Sequence, residues 1–116
     1  MTRRTEKVNE LIKKELSKIL REHFNPKEAL VTVSYVKTAP DLKSAKAYIS
    51  IFPFSEAEKI LKELKENFSK FQLILGETVK LKYLPKIELE LDESLEYEDK
   101  IEGLIREIKS GKMRRS

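Results

Sequence analysis

Between Ala45 and Phe52 the chain alternates residue by residue, with Ala45, Ala47, Ile49 and Ile51 on one side and Lys46, Tyr48, Ser50 and Phe52 on the other. A period of two marks a strand with one buried and one wet face. This strand constrains more than its own conformation. Alanine is a poor strand former, yet the apolar side begins with two of them. Small side chains let a covering helix approach closely, so the pattern predicts Ala45 and Ala47 as the floor under a helix. Ile49 and Ile51 would fill the space where the layers diverge. The competing reading puts both alanines on a partly exposed sheet edge.

The rest of the chain supplies the covering layer. From Thr5 to Phe24, Val8, Leu11, Ile12, Leu16, Ile19 and Leu20 follow the three- and four-residue steps of a helix face. Asn25-Pro26 should end that helix. "ALVTVSYVKT" is rich in β-branched and aromatic residues and predicts a strand, pairing antiparallel with the next through the Pro40-Asp41 turn. Ser55 and Glu58 have capping-box spacing, and an apolar stripe runs from Ala57 through Ile60, Leu64, Phe68, Phe71 and Leu75 to Val79. One long helix or two joined segments would satisfy it. Asn67 and Ser69 are poor helix formers that can cap a new helix, which favours a break there. Ile87, Leu89 and Leu91 alternate with glutamates as a third strand, and Ile101, Leu104, Ile105 and Ile108 predict a short terminal helix. Residues 1–109 form one expected domain, a three-stranded α+β sheet packed by helices. Residues 110–116 are expected as a disordered basic tail.

Several function classes fall away. The chain has no cysteine, so thiolate metal sites, thiol nucleophiles and disulfides are excluded. Its only glycines, Gly76, Gly103 and Gly111, cannot build a phosphate-cradling loop, a dinucleotide fingerprint or a Gly-x-x-Gly clamp. His23, at a helix end, reads as a surface or C-cap residue, and no acidic residues stand in metal-loop or paired-acid spacing. No enzyme activity, metal or cofactor is expected. The N-terminus lacks a signal core and no apolar run nears the roughly 20 residues that span a bilayer, so a cytoplasmic monomer with no membrane or small-molecule partner is expected.

What remains is binding through cations. Arg3, Arg4, Lys7 and Lys14, with Lys18 and Arg21, recur along the first helix; Lys43 and Lys46 flank the strand turn; Lys80 and Lys82 precede Pro85. The formal net charge of +4 suits a polyanion partner but also an ordinary soluble domain. Glu10, Glu15 and Glu22 interleave with the helix cations, so a solvated face with internal pairs competes evenly with an RNA-facing one. Tyr48 and Phe52 share the wet face of their strand and could stack on bases, although sheet aromatics are more often ordinary packing. Tyr35 could lie on either face.

The order helix, strand, strand, helix, helix, strand, terminal helix resembles the type II KH fold. Four stretches resemble ribosome-binding factor A more closely: "RTEKVNELIKKELSKIL", "VTVSYVKTAPDLKSAKAYIS", "LGETVKLKYLPKIELELDES" and "YEDKIEGLIREI". That resemblance implies a non-catalytic bacterial assembly factor. It would bind the free or immature 30S subunit and precursor 16S rRNA and assist maturation of the rRNA 5′ end. It also weights Arg3, Arg4, Lys7, Lys80 and Lys82 as the RNA-facing cations. The alternatives are a single-strand RNA-binding KH-class domain and a protein-interaction module whose basic surface is incidental. Two departures stand out. The family's Ala-x-Gly kink falls on Asn67-Phe68-Ser69, and an arginine just after it falls on Gln72.

Overall fold

The first helix, α1, spans Arg3–His23, and its stripe of Val8, Ile12, Leu16, Ile19 and Leu20 is buried along one side. The computed structural model describes residues 3–94. The expected terminal helix and the tail at 110–116 lie outside that range. As the sequence predicts, α1 stops before Pro26, where the Asn25 side chain turns back and donates to the Arg21 carbonyl.

Two strands follow, β1 (Leu30–Thr38) and β2 (Ser44–Phe52). They pair antiparallel from Leu30 opposite Phe52 to Thr38 opposite Ala45, with an irregularity between Val33 and Tyr35 that leaves Ser34 unpaired. Their connection is tight. The Asp41 carboxylate accepts the Lys43 N–H at 3.0 Å, and Leu42 takes a left-handed φ of 62°. A non-glycine residue is uncommon in that region, and here the Leu42 N–H is held by the Ala39 carbonyl at 2.8 Å.

After a single 3-10 turn at Phe54–Glu56, the second helix, α2, spans Ala57–Thr78 and leads to β3 at Lys86–Leu91. β3 lies parallel to β2, with Ser44 opposite Lys86 and Ile49 opposite Leu91, so β2 is the central strand. Parallel neighbours need a crossover, and α2 provides it.

Two expectations fail in this segment, each for a local reason. The Ser55–Glu58 capping box does not form. The 3-10 turn places Glu56 at the N-cap of α2, with no side-chain cap bond. The Pro53 and Phe54 carbonyls instead take the Glu56 and Ala57 N–H groups. The break at Asn67–Ser69 is also absent, because α2 is one continuous helix. The Asn67 amide bonds the Glu63 carbonyl one turn back, at 2.8 Å, instead of capping a new helix. Between them Phe68 is buried and meets Phe71 edge-on, with ring centroids 6.3 Å apart. Packing of the stripe outweighs the weak propensity of two residues.

The alanines lie on the floor. Ala45 and Ala47 are 2% and 0% exposed on the central strand, which overturns the edge reading, and Ile49 and Ile51 are fully buried beyond them. Val33 and Val36 from β1 and Ile87 and Leu89 from β3 complete the same face of the sheet. Both helices cover that face. The order α-β-β-α-β with a mixed three-stranded sheet is a type II KH-like arrangement, with the two expected middle helices fused into one.

Candidate nucleic-acid interface

Three segments far apart in sequence meet at one end of the domain: the start of α1, the β1–β2 turn and the α2–β3 connection. The Lys86 N–H donates to the Lys43 carbonyl at 3.0 Å and ties the turn to the start of β3. Gln72 ties α2 to the same point. Its amide donates to the Pro85 carbonyl at 3.2 Å and accepts the Ile87 N–H at 3.3 Å. The residue standing where the family's arginine would be is thus occupied with holding the connection that carries Lys80 and Lys82.

A groove of about 690 Å³ opens between these segments, with Val8, Leu42 and Leu84 among its apolar residues and Arg4, Lys43 and Lys82 as its cations. Asp41 is the one acid lining it, and its carboxylate is engaged by the Lys43 backbone. Among the described residues the ion pairs are Lys59–Glu28 and His23–Glu22. No described carboxylate forms an ion pair with the three groove cations, and with Asp41 counted the described groove lining keeps a formal excess of two positive charges. Apolar walls beneath unpaired cations strengthen their pull on an incoming anion.

The other predicted cations divide. Arg3, Lys7 and Lys14 are exposed on α1, and with Lys18 and Arg21 they share the side opposite the buried stripe, a line about 27 Å long at ~1.5 Å per residue. Arg3 and Lys7 stand at its groove end. Lys14 lies farther along, about 15 Å from Arg4 by the same rise. Lys80 is exposed two residues before Lys82 but does not line the groove. Lys46 does not converge with the rest. Strand alternation turns it away from Ala45 and Ala47 onto the face of the sheet that neither described helix covers, beside Lys37 and Glu88 in the register. One groove residue escaped the sequence reading. Tyr83 is 77% exposed, and the Lys82 ammonium lies 5.6 Å from its ring centroid. An aromatic directly after Lys82 and two residues before Pro85 was the available signal.

That sheet face holds two further features. Tyr35, which the sequence leaves open to either face, pairs with Tyr48, and their rings stack with centroids 4.3 Å apart. Below them Ser50 donates to the Asp92 carboxylate at 3.3 Å and shares a hydroxyl contact with Ser34, while the Ser94 hydroxyl donates at 2.7 Å. Burial pushes the Asp92 carboxyl up, but hydrogen bonds from Ser34, Ser94 and Ser50 together hold it below the usual value. No helix among the described residues is long and apolar enough to cross a membrane.

The family model for ribosome-binding factor A matches residues 4–105, a span that takes in every part of the groove. The chain belongs to the ribosome-binding factor A family. Ribosome-binding factor A of Opitutus terrae is 37% identical over 109 residues, 93% of this chain and 89% of that protein. That of Brevibacillus brevis is 39% identical over 107 residues, 90% and 88% of the two chains. The crystal structure of ribosome-binding factor A from Thermus thermophilus shares the fold, with a TM-score of 0.67 at 22% identity over 75% of this chain and 94% of that one. A Thermus thermophilus homology model fitted into a cryo-electron microscopy map of a complex of the 30S subunit with ribosome-binding factor A gives a TM-score of 0.62 at 23% identity, covering 72% of this chain and 89% of that one.

Proposed function

We propose that this member of the ribosome-binding factor A family is a non-catalytic assembly factor that binds the free or immature 30S subunit in the cytoplasm. Its basic end would face precursor 16S rRNA and favour maturation of the rRNA 5′ end. One observation carries the reading: Arg4, Lys43 and Lys82 arrive from three separate segments at one groove, form no ion pair among the described residues, and outnumber its one described acid, Asp41. Family membership and the 30S complex of the Thermus protein support the choice of partner.

The mechanism is differential binding. A protein that prefers one rRNA conformation shifts the population towards it by no more than its difference in affinity. Phosphate contacts supply most of that affinity and make it salt-dependent. Lysine outnumbers arginine at this end, so the contacts are point charges more than bidentate forks. The rigid Asp41 turn and the Gln72 bridge hold the cations in place, which lets the shape of the groove discriminate.

Co-sedimentation with small subunits over a salt series tests the reading. The wild-type chain should pellet with the particle at low salt and release as salt rises. Lys80→Glu with Lys82→Glu, and separately Lys43→Glu, should weaken association while leaving the fold intact. Absence of binding at the lowest salt would end the proposal, and wild-type behaviour of both variants would move the contact elsewhere. For the 5′ end, cells lacking the protein should accumulate 16S rRNA with unprocessed 5′ ends, and normal ends would remove that part.

A further inference from the structure

The groove leaves one part of the molecule without a task. Both described helices pack on a single face of the sheet, and the other face carries an ordered set of side chains from β1 and β2. Lys37 stands opposite Lys46, Tyr35 opposite Tyr48, Thr32 opposite Ser50, and Leu30 opposite Phe52. Successive pairs on one face of a strand are about 7 Å apart, so the set runs for about 20 Å.

Two of the pairs, the lysines and the exposed Leu30 with Phe52, are unusual for a surface that only meets water. Like charges directly opposite one another across strands are destabilising, yet Lys37 and Lys46 are such a pair and neither forms an ion pair among the described residues. Next to them the tyrosine rings stack within 13° of parallel, with the Lys37 ammonium 5.8 Å from the Tyr35 centroid. Phe52 is 48% exposed and Leu30 67% exposed at the far end, with the Thr32 hydroxyl and the Ser50 hydroxyl, which Asp92 engages, between. Cations, aromatic rings and hydroxyls in one line complement the phosphates, bases and sugars of a single strand.

We infer that this second face of the sheet, through Lys37, Lys46, Tyr35, Tyr48 and Phe52, is a binding surface that takes a short stretch of single-stranded RNA. Bases stack on the tyrosine pair and on Phe52, and phosphates meet the lysine pair. The acidic column of β3, Glu88 and Glu90, lies beside Lys46 and Tyr48 in the register, and Asp92 continues it at Ser50, from whose hydroxyl it accepts a hydrogen bond. It repels phosphate and so confines the backbone track to the β1 and β2 columns. Lys46, which the groove does not use, takes its role here. Because the groove and this face lie on different sides of the domain, one molecule can hold structured rRNA at one and an unpaired segment at the other.

The probe is a short single-stranded oligoadenylate, followed by tyrosine fluorescence, which the chain's four tyrosines supply without tryptophan background, and by photocrosslinking with mass spectrometry. The expected result is quenching on binding and crosslinks at Tyr35, Tyr48 or Phe52. Lys46→Glu and Tyr48→Ala should each weaken binding by roughly tenfold, as loss of a stacked base or a phosphate contact does. Tyr48→Phe, which keeps the ring, should bind as wild type. Lys43→Glu with Lys82→Glu should change oligoadenylate affinity by less than about twofold, since distant sites act independently. Lys46 is exposed, so Lys46→Glu tests the surface without threatening the fold. Wild-type affinity in Lys46→Glu, no binding of the oligonucleotide, or crosslinks confined to the groove would each overturn the inference while leaving subunit association through the groove standing.

Discussion

Asn9 occupies a position on the buried side of α1 where the helical stripe would otherwise place an aliphatic residue, and Thr38 is the reason. The Asn9 carbonyl oxygen accepts the Thr38 N–H at 2.8 Å and the Thr38 hydroxyl at 2.6 Å, pinning α1 to the end of β1. Both residues are buried. An unpaired buried donor costs about 1–3 kcal/mol, so Asn9→Ala should lower stability by roughly 2–4 kcal/mol in urea unfolding despite alanine's better helix propensity. A loss below about 1 kcal/mol would mean water replaces the amide. Asp92 gives a pH signature. Its folded-state carboxyl lies below the usual value, so its stabilising contribution is present above the ordinary aspartate value of about 3.9. That contribution is lost as pH falls through the lower folded value. Asp92→Asn should lower the urea midpoint at neutral pH, where that contribution is present, and change it little at the acid end, so that the acid-side fall in stability becomes shallower.

At the scale of elements, α2 shows where local preference yields to packing. Asn67 and Ser69 read as a boundary in the sequence because both residue types favour caps and turns. In the folded chain they are exposed beside the buried Phe68, and the stripe from Ile60 to Leu75 pulls the helix through. Ser69 therefore pays only its propensity. Ser69→Ala should raise stability by about 0.5 kcal/mol and Ser69→Gly should lower it by about 0.5 kcal/mol, with helical circular dichroism retained in both. A much larger loss in Ser69→Gly, with helix signal falling, would mean that the break is close in energy. β2 behaves in the opposite way, because its pattern already encoded its packing. Ala47 is fully buried under the helical layer, and Ala47→Val should cost about 1–3 kcal/mol by overpacking, measured in the same urea titration. A neutral effect would show spare room above the strand. The capping box failed because sequence spacing cannot register a 3-10 turn that hands the first donors to backbone carbonyls.

Across the whole molecule, charge and architecture act together. Among the described residues, one-sided packing leaves a covered sheet face, a bare sheet face and an end where three connections meet. Arg4, Lys43 and Lys82 gather at that end, the outer side of α1 carries a line of further cations, and Lys46 goes to the bare face. If the groove cations meet phosphates, replacing all three with glutamine should reduce the slope of log affinity for small subunits against log salt by about 2, at ~0.7 per neutralised phosphate. An unchanged slope would show that these side chains touch no phosphate. The candidate site was legible in the sequence as a set of cations, but not as a place. Tyr83 entered it and Lys46 left it only when strand alternation and the α2–β3 connection were known.

The amino-acid order by itself determined the elements whose periodicity is long and regular: α1, β1, β2 and β3, the antiparallel turn, and the alanine floor that presupposes a covering helix. It did so because burial of one side leaves a repeating trace along the chain. The continuity of α2, the job of Gln72 and the meeting of Arg4 with Lys43 and Lys82 were decided only in the tertiary structure. Each depends on atoms from segments distant along the chain, and the free energy of such contacts has no local pattern to announce it.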